Sequence, residues 1–303
     1  MASSGGTTKV IIIAFFANMG IAVSKFIGAY ITGSASLLAE AVHSVVDSSN
    51  QLLLLLGNKM ATRPASVRYP LGQGREGFFW AFIVAIMLFS LGGLFAIYEG
   101  VHKLSSHEPA GSPWVAIGIL TFGLILESYS CWACWKEVKI QKGSQTLWRW
   151  FKRTTAAELL VIFTEDMAAL FGLVIALISV ALTMITGDPI YDAIGSILIG
   201  FLLVGVAILL AVEIKSLIVG EAPEVDVRPK LEALFSQHLP GAKVLHLIAL
   251  QTGPSEVMMS CKFHPGSTKE VSGLVAGMNL VESNMKKEFP QLRWQFLEPD
   301  FEN

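Results

Sequence analysis

Four ionisable side chains interrupt stretches of the sequence that are otherwise apolar enough to cross a membrane. His43 and Asp47 stand one helical turn apart in one such stretch, and Glu165 and Asp166 are adjacent in another. An ionisable group at the centre of a bilayer costs roughly 2.5–3.5 kcal/mol on insertion scales. Such groups persist where they face a partner, a water-filled cavity or an ion, so these four side chains form the candidate functional site.

An imidazole combined with carboxylates is a ligand set that suits Zn²⁺, and Mn²⁺, Fe²⁺, Co²⁺ and Cd²⁺ are further candidates. At about 1.5 Å per residue, His43 lies roughly 12 Å from one end of its stretch and Asp166 roughly 16 Å from the opposite end of its own. In a hydrocarbon layer of about 30 Å, both side chains come near the midplane. The alternative interpretation is a buried hydrogen-bonded network that holds the helices together.

The composition is that of an integral membrane protein with a more polar tail. Of the 303 residues, 53% are hydrophobic and only 15% are charged, whereas soluble proteins carry about 25% charged residues. The net charge of −2 gives no indication of nucleic-acid binding. Three cysteines, two of them in an apolar stretch, imply no disulfide framework.

Hydropathy predicts six transmembrane helices, and the charges of the loops predict their orientation. The spans cover about residues 9–30, 36–57, 77–100, 113–135, 155–185 and 190–218. Lysine and arginine concentrate in the loops after spans 2 and 4, so we expect both termini to be cytoplasmic. We expect the membrane to be a bacterial inner membrane.

The sequence divides into a transmembrane transport domain over residues 1–220 and a cytoplasmic domain over residues 221–303. The sequence of the second part predicts helices and strands in the order α-β-β-α-β, with the strands at about 244–251, 256–264 and 292–297. This order suits a small α+β domain with its helices on one face of a sheet. A domain of about 80 residues has a marginal core, so a dimeric arrangement is expected to help it.

Several motifs make the chain resemble the cation diffusion facilitator family. They are GSASLLAEAVHSVVDSSNQ, YPLGQGRE, TEDMAALFG and GEAP, and the stretches FTEDMAALFG and GDPIYDAIGSILIG are similar to its zinc transporter 9-like branch. The resemblance implies a homodimeric six-helix exporter with a ferredoxin-like cytoplasmic domain. It also implies exchange of a divalent cation for protons, at a site made by two residues of span 2 and two of span 5.

Residue by residue, the resemblance assigns the span 2 ligands to His43 and Asp47 and a span 5 ligand to Asp166. The histidine that the family usually places four positions earlier falls at Ile162, which cannot bind metal. The fourth ligand is then Glu165, a water molecule or nothing. Glu165 is alternatively a carrier of protons or a partner that orients another ligand.

The function predicted from these observations is proton-coupled export of a divalent metal, Zn²⁺ first, as transported substrate. Its partners are the metal ion, protons, the lipid bilayer and a second copy of the chain, with no organic cofactor and no nucleic acid. An enzyme is not expected, because no HExxH motif supports an intramembrane metalloprotease. The alternatives are a family member specific for Mn²⁺, Fe²⁺ or Co²⁺, a passive pore, and a membrane scaffold with a degraded metal site.

Two further charged residues fall inside predicted spans. We expect Lys25 to extend its ammonium group towards the membrane surface, and Glu127 to pair within the helix bundle. The family's metal sites in the cytoplasmic domain use histidines and an acid. The aligned positions here include Leu245, Cys261 and Phe296, so we expect no well-formed regulatory metal site there.

Overall fold

The computed structural model describes residues 19–106, 113–268 and 270–302. The described residues form two compact units. The first contains the described residues up to Leu56, together with Trp80–Phe151 and Glu158–Ile214, and the second contains Gly57–Phe79, Lys152–Ala157 and the residues from Lys215 onward. The helices before the sheet are α1 (Met19–Thr32), α2 (Ala35–Ala61), α3 (Glu76–Met87), α4 (Phe95–Ser106), α5 (Pro113–Lys142), α6 (Leu147–Arg153), α7 (Ala157–Thr186) and α8 (Ile190–Val219).

Four stretches of helix are long and apolar enough to cross a membrane. They are α5, α7, α8 and the continuous stretch Glu76–Ser105, each of 30 residues. The first predicted span begins outside the described residues, so only its part from Met19 onward is seen, as α1. Helix α2 has 27 residues, but a stripe of polar side chains lowers its mean hydropathy. Four of the six predicted spans are therefore confirmed by length and composition.

A π-helical segment over Leu88–Leu94 joins α3 to α4 and was not predicted. Glycines allow this part of the helix to approach α8 closely. A Cβ atom on Gly200 would lie 2.8 Å from the carbonyl oxygen of Gly93, and one on Gly93 would lie 3.0 Å from the backbone nitrogen of Val204. Small residues at such crossings let helix backbones approach closely. This is the usual way in which helices pack in lipid, where the hydrophobic effect does not drive their association.

The carboxylate of Asp192, near the start of α8, caps the N-terminus of α2. It accepts hydrogen bonds from the backbone nitrogens of Ala35 (2.6 Å) and Ser36 (3.3 Å) and from the hydroxyl of Ser34 (2.7 Å). The ammonium group of Lys103 lies 3.4 Å from the same carboxylate. The first turn of a helix has backbone N–H groups without intrahelical partners, so this buried acid fixes the end of α2.

The second unit contains a three-stranded sheet covered on one face by two helices. Helix α9 (Arg228–His238) is followed by β1 (Lys243–Gly253), β2 (Glu256–His264), α10 (Val271–Glu288) and β3 (Leu292–Pro299). Strand β2 is central, antiparallel to β1 and parallel to β3. The predicted order α-β-β-α-β is observed.

The core of the sheet domain is formed by alternate side chains of the strands against both helices. Phe235 of α9 stacks on Phe263 of β2 with 4.7 Å between ring centroids. Cys261 is fully buried in this core, and burial raises the pKa of its thiol to about 11. Phe296, by contrast, is 52% exposed. The aligned positions of a regulatory metal site therefore do not share one side of the sheet.

Replacing Asp192 with alanine removes the acceptor for the first turn of α2 and the carboxylate beside Lys103. We expect the change to lower the free energy of unfolding by roughly 3 kcal/mol, because breaking a buried pair leaves desolvated polar groups. Thermal unfolding of the detergent-solubilised protein measures this loss.

The matched control for Asp192→Ala is Asp188→Ala. Asp188 is exposed and accepts one hydrogen bond, from the backbone nitrogen of Ile190 at 3.0 Å. Its loss is expected to cost about 1 kcal/mol or less, which is typical of an exposed cap. Equal destabilisation by the two substitutions would contradict the role assigned to Asp192.

Candidate metal centre

The polar stripe of α2 faces the interior of the first unit. Its members recur every three or four residues, which places them on one face of a helix. Ser36, Glu40 and Asn50 are fully buried, His43 is 1% exposed, and the side chain of Asp47 is 19% exposed. The buried stripe brings the first two candidate ligands, His43 and Asp47, into the bundle.

Acidic side chains from three helices surround one small cavity in this unit. Asp47 comes from α2, Glu127 from α5, and Glu165 and Asp166 from α7. The cavity has a volume of about 30 Å³, which is enough for one or two water-sized groups. The remaining lining residues are Ile21, Ser44, Gln51, Ser130 and Ile162.

Hydrogen bonds orient the two acids of α7. The amide of Asn50 donates to Oε1 of Glu165 at 2.6 Å, and Glu165 is 5% exposed. The hydroxyl of Ser130 donates to Oδ2 of Asp166 at 3.4 Å. Glu165 is thus tied to α2 and Asp166 to α5, so α7 presents its two adjacent carboxylates in different directions.

His43 lies beside Asp47 and outside the lining of the cavity. Its Nε2 atom is 3.5 Å from Oδ2 of Asp47. Neither ring nitrogen of His43 has a hydrogen-bond partner among the described residues, and the same holds for Oδ1 of Asp47. Buried polar atoms are almost always paired, so these atoms are the most conspicuous unused donors and acceptors in the candidate site.

The four predicted ligands are therefore neighbours, but they do not form an assembled coordination sphere. Within residues 19–106, 113–268 and 270–302, no three His, Cys, Asp or Glu side chains are placed to hold one metal ion together. Asp47, Glu165 and Asp166 share a cavity, and His43 touches it only through Asp47. Side chains would have to rearrange before all four contact one ion.

The prediction for Lys25 was wrong. Its side chain is 1% exposed, and its ammonium group donates to Oε2 of Glu40 at 3.2 Å and to the hydroxyl of Ser44 at 2.7 Å. The long side chain turns inward because a fully buried carboxylate on α2 provides a counter-charge close to α1. The result is a buried ion pair one turn of α2 away from His43.

Glu127 is the residue of the site whose role the sequence did not reveal. We expected it to pair within the bundle, and the structure brings it to the cavity that Asp47 and the α7 acids line. A signal was present in the sequence, since Glu127 lies at the midpoint of an apolar helix of 30 residues. Nothing in the sequence indicated which face of α5 points inward.

The region of the chain that contains the candidate site matches known proteins. A family described as "Cation efflux transmembrane domain" matches residues 11–219, which is more than half of the chain. Metal tolerance protein C4 of Arabidopsis thaliana is 33% identical over 71% of this chain and 47% of its own length. The mitochondrial proton-coupled zinc antiporter SLC30A9 of Xenopus laevis is 29% identical over 83% of this chain and 45% of its own.

A bacterial relative covers the chain at similar identity. Zinc transporter ZitB of Yersinia pestis is 27% identical over 84% of this chain and 77% of its own length. The chain spans under half the length of the plant and frog relatives. Because the family model matches residues 11–219, the chain belongs to the cation diffusion facilitator family, and it is similar to the zinc transporter 9-like branch of that family. The match and the four long apolar helices together make it an integral membrane protein.

Proposed function

We propose that the protein transports divalent transition-metal cations, Zn²⁺ first, across a membrane in exchange for protons. The observation that carries this proposal is the meeting of Asp47, Glu165 and Asp166 at one cavity between apolar helices. A buried group of acids is costly in hydrocarbon unless cations accompany it. Membership of the cation efflux family supports metal ions as those cations.

The choice of Zn²⁺ is supported by ligand chemistry and by relatives. An imidazole with carboxylates is a common zinc ligand set. Two of the relatives are named as zinc transporters, one of them proton-coupled. In our proposal His43, Asp47 and Asp166 bind the ion directly and Glu165 is the further candidate ligand. Mn²⁺, Fe²⁺, Co²⁺ and Cd²⁺ remain alternative substrates, because carboxylates tolerate all of them.

Proton exchange follows from the chemistry of the ligands. A carboxylate or imidazole binds metal only after losing its proton, so loading of the ion releases protons and reprotonation favours its departure. If metal loads from the cytoplasm and protons arrive from the other side, a proton gradient drives export. Access alternates when one group of helices rocks against another. This role requires no covalent chemistry, which agrees with a transporter rather than an enzyme.

Six spans, cytoplasmic termini and a homodimer belong to the same proposal. Basic loops after spans 2 and 4 support the orientation. In the sheet, Ile248 and Phe296 flank Ser260 in register and are 48% and 52% exposed. This exposed apolar surface supports dimerisation through the domain that we place at residues 221–303. A bacterial inner membrane is our proposed location, and the bacterial relative supports it.

One observation favours a second candidate, a membrane scaffold that does not transport. Ile162 occupies the position at which the family usually has a histidine. In the described part of the chain, no three His, Cys, Asp or Glu side chains are arranged to hold one metal ion. A scaffold would fail to bind metal when purified. Transport into liposomes therefore separates the two functions, and flux that ignores the pH gradient would indicate a passive pore.

Replacing His43 or Asp47 with alanine is expected to abolish Zn²⁺ uptake by proteoliposomes while the protein still inserts. Each change removes a proposed ligand from the helix that carries half of the site. The matched control is Ser49→Ala on the same helix, since the Ser49 hydroxyl bonds to the backbone oxygen of Val45 at 2.9 Å. Full activity of both ligand variants would refute the assignment.

Replacing Glu165 with glutamine is expected to raise the half-saturating Zn²⁺ concentration by about ten-fold or more, as for loss of a ligand or of its supporting partner. Uptake of Zn²⁺, Mn²⁺, Fe²⁺ and Co²⁺, with and without a proton gradient, measures the effect. Thr164→Val is the control, because the Thr164 hydroxyl bonds within its own helix. Wild-type affinity in Glu165→Gln would exclude Glu165 from the site.

A further inference from the structure

One face of α5 is directed towards the candidate site. Ser130 bonds to Asp166 at 3.4 Å, and the sulfur atoms of Cys131 and Met167 are 3.6 Å apart, so both residues face α7. Glu127 precedes Ser130 by three positions and Cys131 by four, which places it on the same face. It lines the cavity together with Ser130.

His43, Asp47 and Asp166 supply three of the proposed donors, and the Glu165 carboxylate is engaged by Asn50. The position that the family usually gives to a fourth ligand is occupied by Ile162. Ile162 lines the cavity one turn before Asp166, and its side chain has no atom that binds a metal. A divalent transition metal in a tetrahedral site needs four donors. Glu127 reaches the same cavity from the neighbouring helix, at the midpoint of α5.

The charges around Glu127 favour the binding of a cation next to its carboxylate. Lys25 lies close to α5, since its Cε atom would be 3.4 Å from a Cβ atom on Gly123. Its ammonium group is nevertheless engaged by Glu40 and Ser44. Glu127 shares the positive charge of Lys25 with Glu40, and it lines the same cavity as the negatively charged Asp47 and Asp166. Like charges in a medium of low dielectric repel strongly unless a cation lies between them.

We propose that Glu127 of α5 is a direct ligand of the transported metal and replaces the histidine that is missing at Ile162. This inference rests on the proposed function. One of the four donors then comes from α5 instead of α7, and this donor is a carboxylate oxygen instead of an imidazole nitrogen. An oxygen-rich site accepts harder ions, so the protein discriminates less between Zn²⁺ and Mn²⁺ than a site with the histidine restored.

The first experiment measures Zn²⁺ binding to the purified full chain and Zn²⁺ uptake by proteoliposomes. Glu127→Gln raises the half-saturating Zn²⁺ concentration by about ten-fold or more. Glu137→Gln, an exposed acid on the same helix, leaves it unchanged. The double variant Glu127→Ala/Ile162→His recovers binding, because the imidazole returns from α7. A loss in Glu127→Gln that the histidine fails to restore indicates a structural role and overturns the proposal.

The second experiment uses Ile162→His alone, which removes no ligand and does not depend on the folding of a Glu127 variant. The imidazole displaces the Glu127 carboxylate, so competition of Mn²⁺ against Zn²⁺ uptake weakens by several-fold relative to wild type. Unchanged competition overturns the proposal.

The inference and the function on which it rests fail differently. If Glu127→Gln binds and transports as wild type while Asp47→Ala is inactive, only the role of Glu127 is wrong. If the wild-type chain neither binds nor transports Zn²⁺, Mn²⁺, Fe²⁺ or Co²⁺, the transport function itself is wrong, and the Glu127 assignment falls with it.

Discussion

The constraint that shapes the first unit is the cost of charge in hydrocarbon. Each ionisable group in a membrane-spanning helix requires a partner, because the hydrocarbon layer contains no water to solvate it. Lys25 meets Glu40 and Ser44, and Glu165 meets Asn50. These contacts join α1 to α2 and α2 to α7, so the charges that are most expensive to bury also determine which helices are neighbours.

The buried acids fall into two groups that differ in how fully they are satisfied. Asp192 accepts hydrogen bonds from the first turn of α2 and has Lys103 beside it, which is the pattern of a structural cap. Near the middle of α2, by contrast, Asp47 and His43 retain atoms without hydrogen-bond partners among the described residues. Unpaired polar atoms in such a place lower the stability of the fold, and in our proposal a bound cation supplies the missing interaction.

The sequence predicts the helices better than it predicts the site. Apolar stretches identified α5, α7 and α8 because hydropathy and helix length are local properties. The three strands were also found, since β2 matches its predicted limits, Glu256–His264. That His43 and Asp47 share one face of α2 followed from their spacing of one helical turn. Lys25 was misjudged because its counter-charge, Glu40, lies on another helix, and the place of Glu127 depends on how α5 is rotated against α7.

We propose that oxygen and nitrogen donors near the middle of α2 and in the first third of α7 bind the transported ion. Zinc K-edge X-ray absorption of the Zn²⁺-loaded protein in lipid nanodiscs tests it most directly, with Asp47→Ala as comparison. We expect only oxygen and nitrogen neighbours at about 2.0–2.2 Å, with imidazole among them, and loss of this signal in the variant. Sulfur neighbours at about 2.3 Å, or a spectrum that Asp47→Ala leaves unchanged, would contradict it.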